Sequence, residues 1–313
     1  MMPYAMDDAP ERSVSPPPEG ATHGLPLATT VGHLLRRAQQ AHTAIWSQEF
    51  GGELTGPQYA VLSVLGRRLT LDQSTTGNLA SLDKSTTADV LARLKRNGWL
   101  ASARNTTDAR RNDVSLTAAA RAALREITPR VMTVQNRLLA PLEEGRRQPF
   151  TAALTVMAFA GDAPIDDAMD SHANSLSLAT APGHLIRRAE QLHRQHWTQR
   201  VGAELTAPQY AVLSCLSWNP SLDQRTAGEL TSLDKASMVD IIHRLGQRKL
   251  LTTDRDDADR RRKRLTPTEA ALRLLAEVTP AVAQVQSDLL EPLARRRIPN
   301  LLDGLHAVAY RTG

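Results

Sequence analysis

The chain has 313 residues, 41% hydrophobic and only 4% aromatic, with a formal net charge of +5. That length suits two ordinary cores, and no apolar run approaches the roughly 18 residues of a membrane span. One cysteine, Cys215, excludes an internal disulfide and a cysteine zinc cluster, and the basic charge, 33 Arg against 5 Lys, permits a polyanionic partner.

Residues 1–24 are polar, with Pro16, Pro17 and Pro18, and read as a disordered arm and not a signal peptide. A reducing cytoplasm is the compartment that fits the single cysteine. Beyond the arm the sequence repeats itself. Residues 55–63, from Thr55 through Pro57 and Tyr59 to Ser63, recur as 206–214. Ser81-Leu82-Asp83-Lys84 recurs as Ser232-Leu233-Asp234-Lys235, at the same offset of 151. Between residues 54 and 94, 23 of 41 positions match their partner without a gap. A period this long makes each copy a whole domain. The copies are assigned to 25–160 and 176–313, and the small, acidic stretch 161–175 to a linker.

Within the first copy, a helix with Leu34, Leu35, Ala38, Ala41 and Ile45 on one face is predicted over 30–48. Thr55 and Pro57 open a second, buried helix. A short helix over 74–81 follows, and Asp83 caps another over 84–97, with Thr87, Val90, Leu91 and Leu94 inward and Gly98 at its end. Extended stretches at 100–104 and 113–116 flank an arginine-bearing turn. Helices over 118–127 and 129–159 follow, the second interrupted near Pro141 and Pro149. A β-hairpin after two short helices is a winged helix-turn-helix. The fold class is therefore mainly α, with two such repeats and long helical flanks that need a partner to cover them.

Helical periodicity puts Ser85, Thr86, Asp89 and Arg93 outward on the fourth helix, with Lys84 and Arg96 placed to neutralise phosphates. In the second copy the outward set is Ala236, Ser237, Asp240 and Arg244, with Lys235 and Arg248. Asp89 and Asp240 either face DNA or orient a neighbouring arginine. The hairpins add Arg104, Asp108, Arg110 and Arg111, then Arg255, Asp259, Arg260, Arg261 and Arg262. Adjacent arginines at a wing tip suit a narrow minor groove or a phosphate backbone, with the aspartates holding the guanidinium groups. The second wing reads as about two residues shorter, between Asp259 and Leu265. Differences such as Ser85-Thr86-Thr87 against Ala236-Ser237-Met238 predict unequal half-sites.

Leu-Asp-Lys-Ser, a helix ending Arg-Leu, then Asp-x-Arg-Arg and Leu116-Thr117 resemble the MarR family of regulators. The second copy, with Asp259-Arg-Arg and Leu265-Thr266, resembles it too. The resemblance implies a double-stranded DNA partner with a pseudo-palindromic operator and repression released by a small aromatic or anionic effector. It also implies a dimer built by the terminal helices, here supplied by one chain acting as its own pseudo-dimer. Because the first helix of each copy would border the effector crevice, His33, His42 and Trp46, with His184, His193 and Trp197, are candidates to line it. They equally suit interface packing. Cys215, in an apolar run, reads as a buried thiol. No spacing points to catalysis, a cofactor or a metal. The other functions left open are a non-specific architectural DNA binder and a ligand-binding module without DNA binding.

Overall fold

The computed structural model describes residues 24–104, 112–162, 175–255 and 263–311. In the first repeat, α1 (Val31–Phe50) is followed by α2 (Gly56–Arg67), the two-residue β1 (Leu71–Asp72), α3 (Gln73–Leu79) and α4 (Lys84–Arg96). Strands β2 (Leu100–Arg104) and β3 (Asn112–Leu116) form the wing, before α5 (Ala118–Leu139) and α6 (Glu144–Ala158). The second repeat follows the same order: α7 (Pro182–Arg200), α8 (Ala207–Trp218), β4 (Leu222–Asp223), α9 (Gln224–Thr231) and α10 (Lys235–Gln247). It ends with β5 (Leu251–Arg255), β6 (Lys263–Pro267), α11 (Glu269–Leu290) and α12 (Ile298–Arg311). Both copies are winged helix-turn-helix units with long helical flanks.

Local chemistry accounts for the helix starts. Thr55 and Gln58 form a capping box on α2, and Thr206 and Gln209 repeat it on α8. Asp72 caps α3 and Asp83 caps α4. In the helix-turn-helix bend, Ser81 and Ser232 adopt left-handed backbone at φ 53° and 54°. The stripe Thr87, Val90, Leu91 and Leu94 is buried, as the periodicity predicts.

Three features depart from the sequence reading. The wing sheet has a third strand, since β1 pairs antiparallel with β3 in the order β1-β3-β2. A two-residue strand is too short to leave a periodic signal. Second, α5 runs straight through Pro129, where two helices were expected. Leu124, Val131, Val134 and Leu138 are buried on both sides of the proline. Arg130 stacks over the Phe50 ring and its Nε lies 3.1 Å from Glu49. This tertiary anchoring outweighs the one backbone hydrogen bond the proline removes. Third, the second wing is not shorter. Leu100 faces Leu116 in one hairpin and Leu251 faces Pro267 in the other, so both strands keep the 151-residue offset. Leu265 takes the buried place of Val114, and Thr268, not Thr266, caps the helix after the wing.

The repeats do not stand apart. One continuous core joins Leu34, Leu35 and Ala38 of α1 to Leu185, Ile186 and Ala189 of α7 and to Leu301, Leu305 and Val308 of α12. The segment leading into each first helix also crosses to the other copy. Tyr210 Oη accepts from Leu25 N at 2.9 Å, and Ser214 Oγ donates to the Leu25 carbonyl at 2.7 Å. The mirror contacts join Tyr59 Oη to Leu176 N at 3.1 Å and Ser63 Oγ to the Leu176 carbonyl at 2.6 Å.

Candidate DNA-facing surface and interface crevice

The fourth helix of each repeat presents its N-terminal end outward. Lys84, Ser85, Asp89, Arg93 and Arg96 are exposed and Thr86 is half-buried. The Asp83 carboxylate accepts from the Thr86 backbone N–H at 2.8 Å and from the Ser85 and Thr86 hydroxyls at 2.7 and 2.8 Å. These bonds hold its pKa well below the usual carboxylate range, the Thr86 amide most of all. Both hydroxyl protons are thereby committed to the cap, so Ser85 and Thr86 face outward as acceptors. In the second copy Lys235, Ala236, Asp240 and Arg244 are exposed, while Ser237 is half-buried and donates to Asp234 at 2.7 Å.

In the second copy Arg244 Nε bonds Asp240 at 3.0 Å, both side chains remaining exposed. Asp240 orients an arginine one turn away. Arg248 is exposed and donates one hydrogen bond, from Nη1 to the Glu204 carbonyl at 2.7 Å. The position matching Arg96 is Gln247, so the second copy lacks that positive charge. Arg104 is exposed at the end of β2, and Arg255 ends β5 opposite Lys263. The candidates Asp108, Arg110, Arg111, Asp259, Arg260, Arg261 and Arg262 lie outside the described residues.

Between the copies lies a crevice of about 240 Å³. Its floor comes from the first repeat, with Gln39, His42 and Trp46 of α1, Tyr59 of α2 and Gln135 of α5. Its roof comes from the second repeat, with Leu176, Leu178, Gly183, His184 and Arg187. Trp46 is fixed by its Nε1–H, which donates to the Leu54 carbonyl at 2.6 Å, and it stacks on Phe50 at 4.7 Å. Gly183 N donates to Gln135 Oε1 at 2.8 Å, and a side chain on Gly183 would overlap the His42 imidazole. Two buried polar atoms in the lining, Gln39 Oε1 and His42 Nε2, have no hydrogen-bond partner among the described residues.

Burial, and then the charge of Arg187, lower the His42 pKa to about 4. Burial leads the shift of His184 as well, which falls well below the usual imidazole value. Burial lowers Arg187 only to about 10, so it stays charged at neutral pH beside neutral rings. The crevice is thus an apolar, aromatic slot with one cationic end, the composition that suits a small aromatic anion.

That cationic end is also a mechanical link. Arg187 donates to the Ala80 and Ser81 carbonyls at 2.8 and 3.3 Å. Arg188 reaches Ser81 Oγ at 3.0 Å, and His184 Nε2 lies 3.2 Å from the same oxygen. Ser81 is two residues before Asp83, the cap of α4. The pseudo-symmetric set holds the other bend, where Arg36 donates to the Thr231 carbonyl and Gln40 to the Ser232 carbonyl at 2.8 Å.

His42, Trp46 and His184 therefore share the first crevice. The counterparts His193 and Trp197 pack together, ring centroids 5.7 Å apart, under Gly32. His33 lies beside Arg36 and 3.3 Å from Tyr310 Oη. The sequence reading missed Arg187, Arg36, Gln39 and Tyr59. The repeated Arg-Arg-Ala after Gly-His-Leu marked the arginines as shared by both copies, though not their direction.

A family model described as the MarR family matches residues 54–111 and 205–263. The transcriptional regulator HosA of Escherichia coli O111:H- is 32% identical over 119 residues, 38% of this chain and 87% of that protein. The chain belongs to the MarR family. The HTH-type transcriptional repressor NicR of Pseudomonas putida is 31% identical over 33% of this chain and 66% of its own length. Among solved structures, the PcaV transcriptional regulator of Streptomyces coelicolor, in complex with its natural ligand, is 41% identical. That match covers 41% of this chain and 92% of PcaV, with a TM-score of 0.40. The MarR model matches twice, once per copy, so this is a tandem member of the family. No helix among its described residues is long and apolar enough to cross a membrane.

Proposed function

We propose that this tandem MarR-family chain is a sequence-specific, double-stranded DNA-binding regulator, a repressor released by a small aromatic anion, with its two repeats acting as one pseudo-dimer. The observation that carries this reading is the double engagement of Arg187. It lines the crevice and, in the same conformation, holds the bend that leads into α4. A carboxylate entering the crevice competes with the Ala80 and Ser81 carbonyls for that guanidinium, because a charged acceptor binds more strongly than a neutral one. Loosening the bend changes the position of α4 against the major groove, and the ligand thereby favours a conformation of lower DNA affinity.

The outward faces of α4 and α10 supply base contacts, and the wing arginines supply backbone and minor-groove contacts. Covalent linkage keeps the two reading units at high effective concentration, so assembly does not depend on a second chain. A relative bears on the same reading, since NicR is a transcriptional repressor by its name. The test is fluorescence anisotropy on duplexes tiling the DNA flanking its gene, each against a scrambled duplex. A flanking site bound about 10³-fold or more tightly than its scramble supports the reading. Equal affinities would overturn it in favour of an architectural DNA binder.

A further inference from the structure

The residues that frame the crevice recur 151 positions away around Arg36, at the pseudo-symmetric place called here the second crevice, and several framing contacts recur with them. Trp197 Nε1 donates to the Leu205 carbonyl at 2.8 Å as Trp46 does to Leu54. Gly32 N donates to Gln286 Oε1 at 2.9 Å as Gly183 N does to Gln135. Arg36 and Arg187 each reach the paired histidine Nδ1 at 3.0 Å. A ligand site conserved in both copies would be duplicated in its lining as faithfully as in this scaffold.

The lining is not duplicated. Gln39, which shares the first crevice with Arg187, is replaced in the second by Glu190. The Glu190 side chain is only 21% exposed, lies 3.3 Å from Arg194, and acts electrostatically on Arg36, favouring its charged form. The second arginine thus has a carboxylate of the protein's own facing it. The Nη1 of Arg36 has no hydrogen-bond partner among the described residues, but an incoming anion would meet Glu190 there. Thr43 of the first crevice corresponds to Arg194, the ion-pair partner of Glu190, and small lining residues change as well, all toward larger side chains. Gly52, Gly56, Ser47 and Ala181 of the first crevice correspond to Ala203, Ala207, Thr198 and Thr30. Each change adds atoms to the second. A side chain on Gly52 or Gly56 would meet nothing within 4 Å, so the first crevice keeps that space open.

We infer that the chain takes one aromatic carboxylate, in the first crevice between Gln39 and Arg187, and that Glu190 excludes a second from the crevice of Arg36. This rests on the reading of the crevice as an effector site. Like charge repels the carboxylate on one side while the matching amide admits it on the other, so a symmetric fold carries an asymmetric input. Only the α4 bend is then under direct ligand control, and release of the operator begins from the first repeat.

The experiment is binding of 4-fluorobenzoate, followed by ¹⁹F NMR and calorimetry, to the full chain and to the isosteric variants Gln39→Glu and Glu190→Gln. The expected stoichiometry is one for the native chain, none for Gln39→Glu, and two for Glu190→Gln. The double variant should bind one again, in the other crevice. Two sites in the native chain, or one that survives Gln39→Glu, would overturn the inference and leave the effector reading standing. Unchanged stoichiometry in Glu190→Gln would overturn the role of Glu190. No binding to the native chain or any variant would overturn both, because the crevice would then not be an anion site.

Discussion

The guanidinium of Arg187 lies 2.8 Å from the carbonyl oxygen of Ala80, a residue of the opposite repeat 107 positions earlier in the chain. The helix that roofs the crevice therefore also fixes the bend of the neighbouring helix-turn-helix. Arg187→Met keeps the apolar stem of the side chain and removes the donor. It should lower stability by about 1–3 kcal/mol in urea titrations, the usual effect of leaving buried carbonyls underbonded. It should also uncouple effector from DNA. Anisotropy of a bound operator should no longer fall when an aromatic carboxylate is added, and an unaltered fall would contradict the link.

The contact between copies is tightest where glycine meets imidazole. Gly183 lies against His42, and Gly32 against His193, with no room for a side chain. Gly183→Ala should therefore cost about 1–3 kcal/mol by overpacking. Combining it with His42→Ala, which opens the same space, should cost less than the sum of the two single changes. Chemical denaturation of the four species measures the coupling, and strict additivity would show that the two residues do not press on each other.

Acid should weaken the chain before its carboxylates titrate. Burial lowers His33 to about 3 and both His42 and His193 to about 4, and takes His184 well below 6.5. The unfolded chain binds protons at about 6.5 that the folded chain refuses, so stability falls as pH drops below that value and is flat above about 7. Each histidine contributes up to about 1.4 kcal/mol per pH unit in this window. A His42→Gln, His193→Gln double variant should show a shallower decline between pH 6.5 and 5. Identical slopes for the two proteins would rule the histidines out as its source.

On the DNA side, Arg244 is held by Asp240 at 3.0 Å, both more than half exposed. Asp240→Ala frees the arginine and removes a negative charge. Affinity for DNA of any sequence should rise, and the slope of log K against log salt should steepen by up to about 0.9 if one phosphate contact is gained. Replacing Arg110, Arg111, Arg260 and Arg261 with alanine should flatten that slope. An unchanged slope would remove the wings from the interface.

The order of elements, the inward stripe of α4 and the caps at Thr55 and Asp83 were legible because each depends on neighbours within about four residues. The wing length was misread for the opposite reason. Leu116-Thr117 and Leu265-Thr266 look alike locally, but the strand register, like the 151-residue offset, puts Leu265 in the place of Val114. Pro129 suggested a break because proline's local cost is visible in sequence and the anchoring of Arg130 on Phe50 and Glu49 is not.

The sequence by itself determined that one winged unit was written twice, at a fixed offset, with long apolar helices left to be covered. Periodicity reports that a face is buried, but not what buries it. Tertiary structure decided that Leu25 would dock on Tyr210 and Leu176 on Tyr59, each segment crossing to the other repeat. This exchange builds the crevice from residues more than a hundred positions apart, and it places Gln39 beside Arg187 in one copy and Glu190 beside Arg36 in the other. A one-atom difference between amide and carboxylate gains its meaning only there, because charge acts on whatever the fold brings near it.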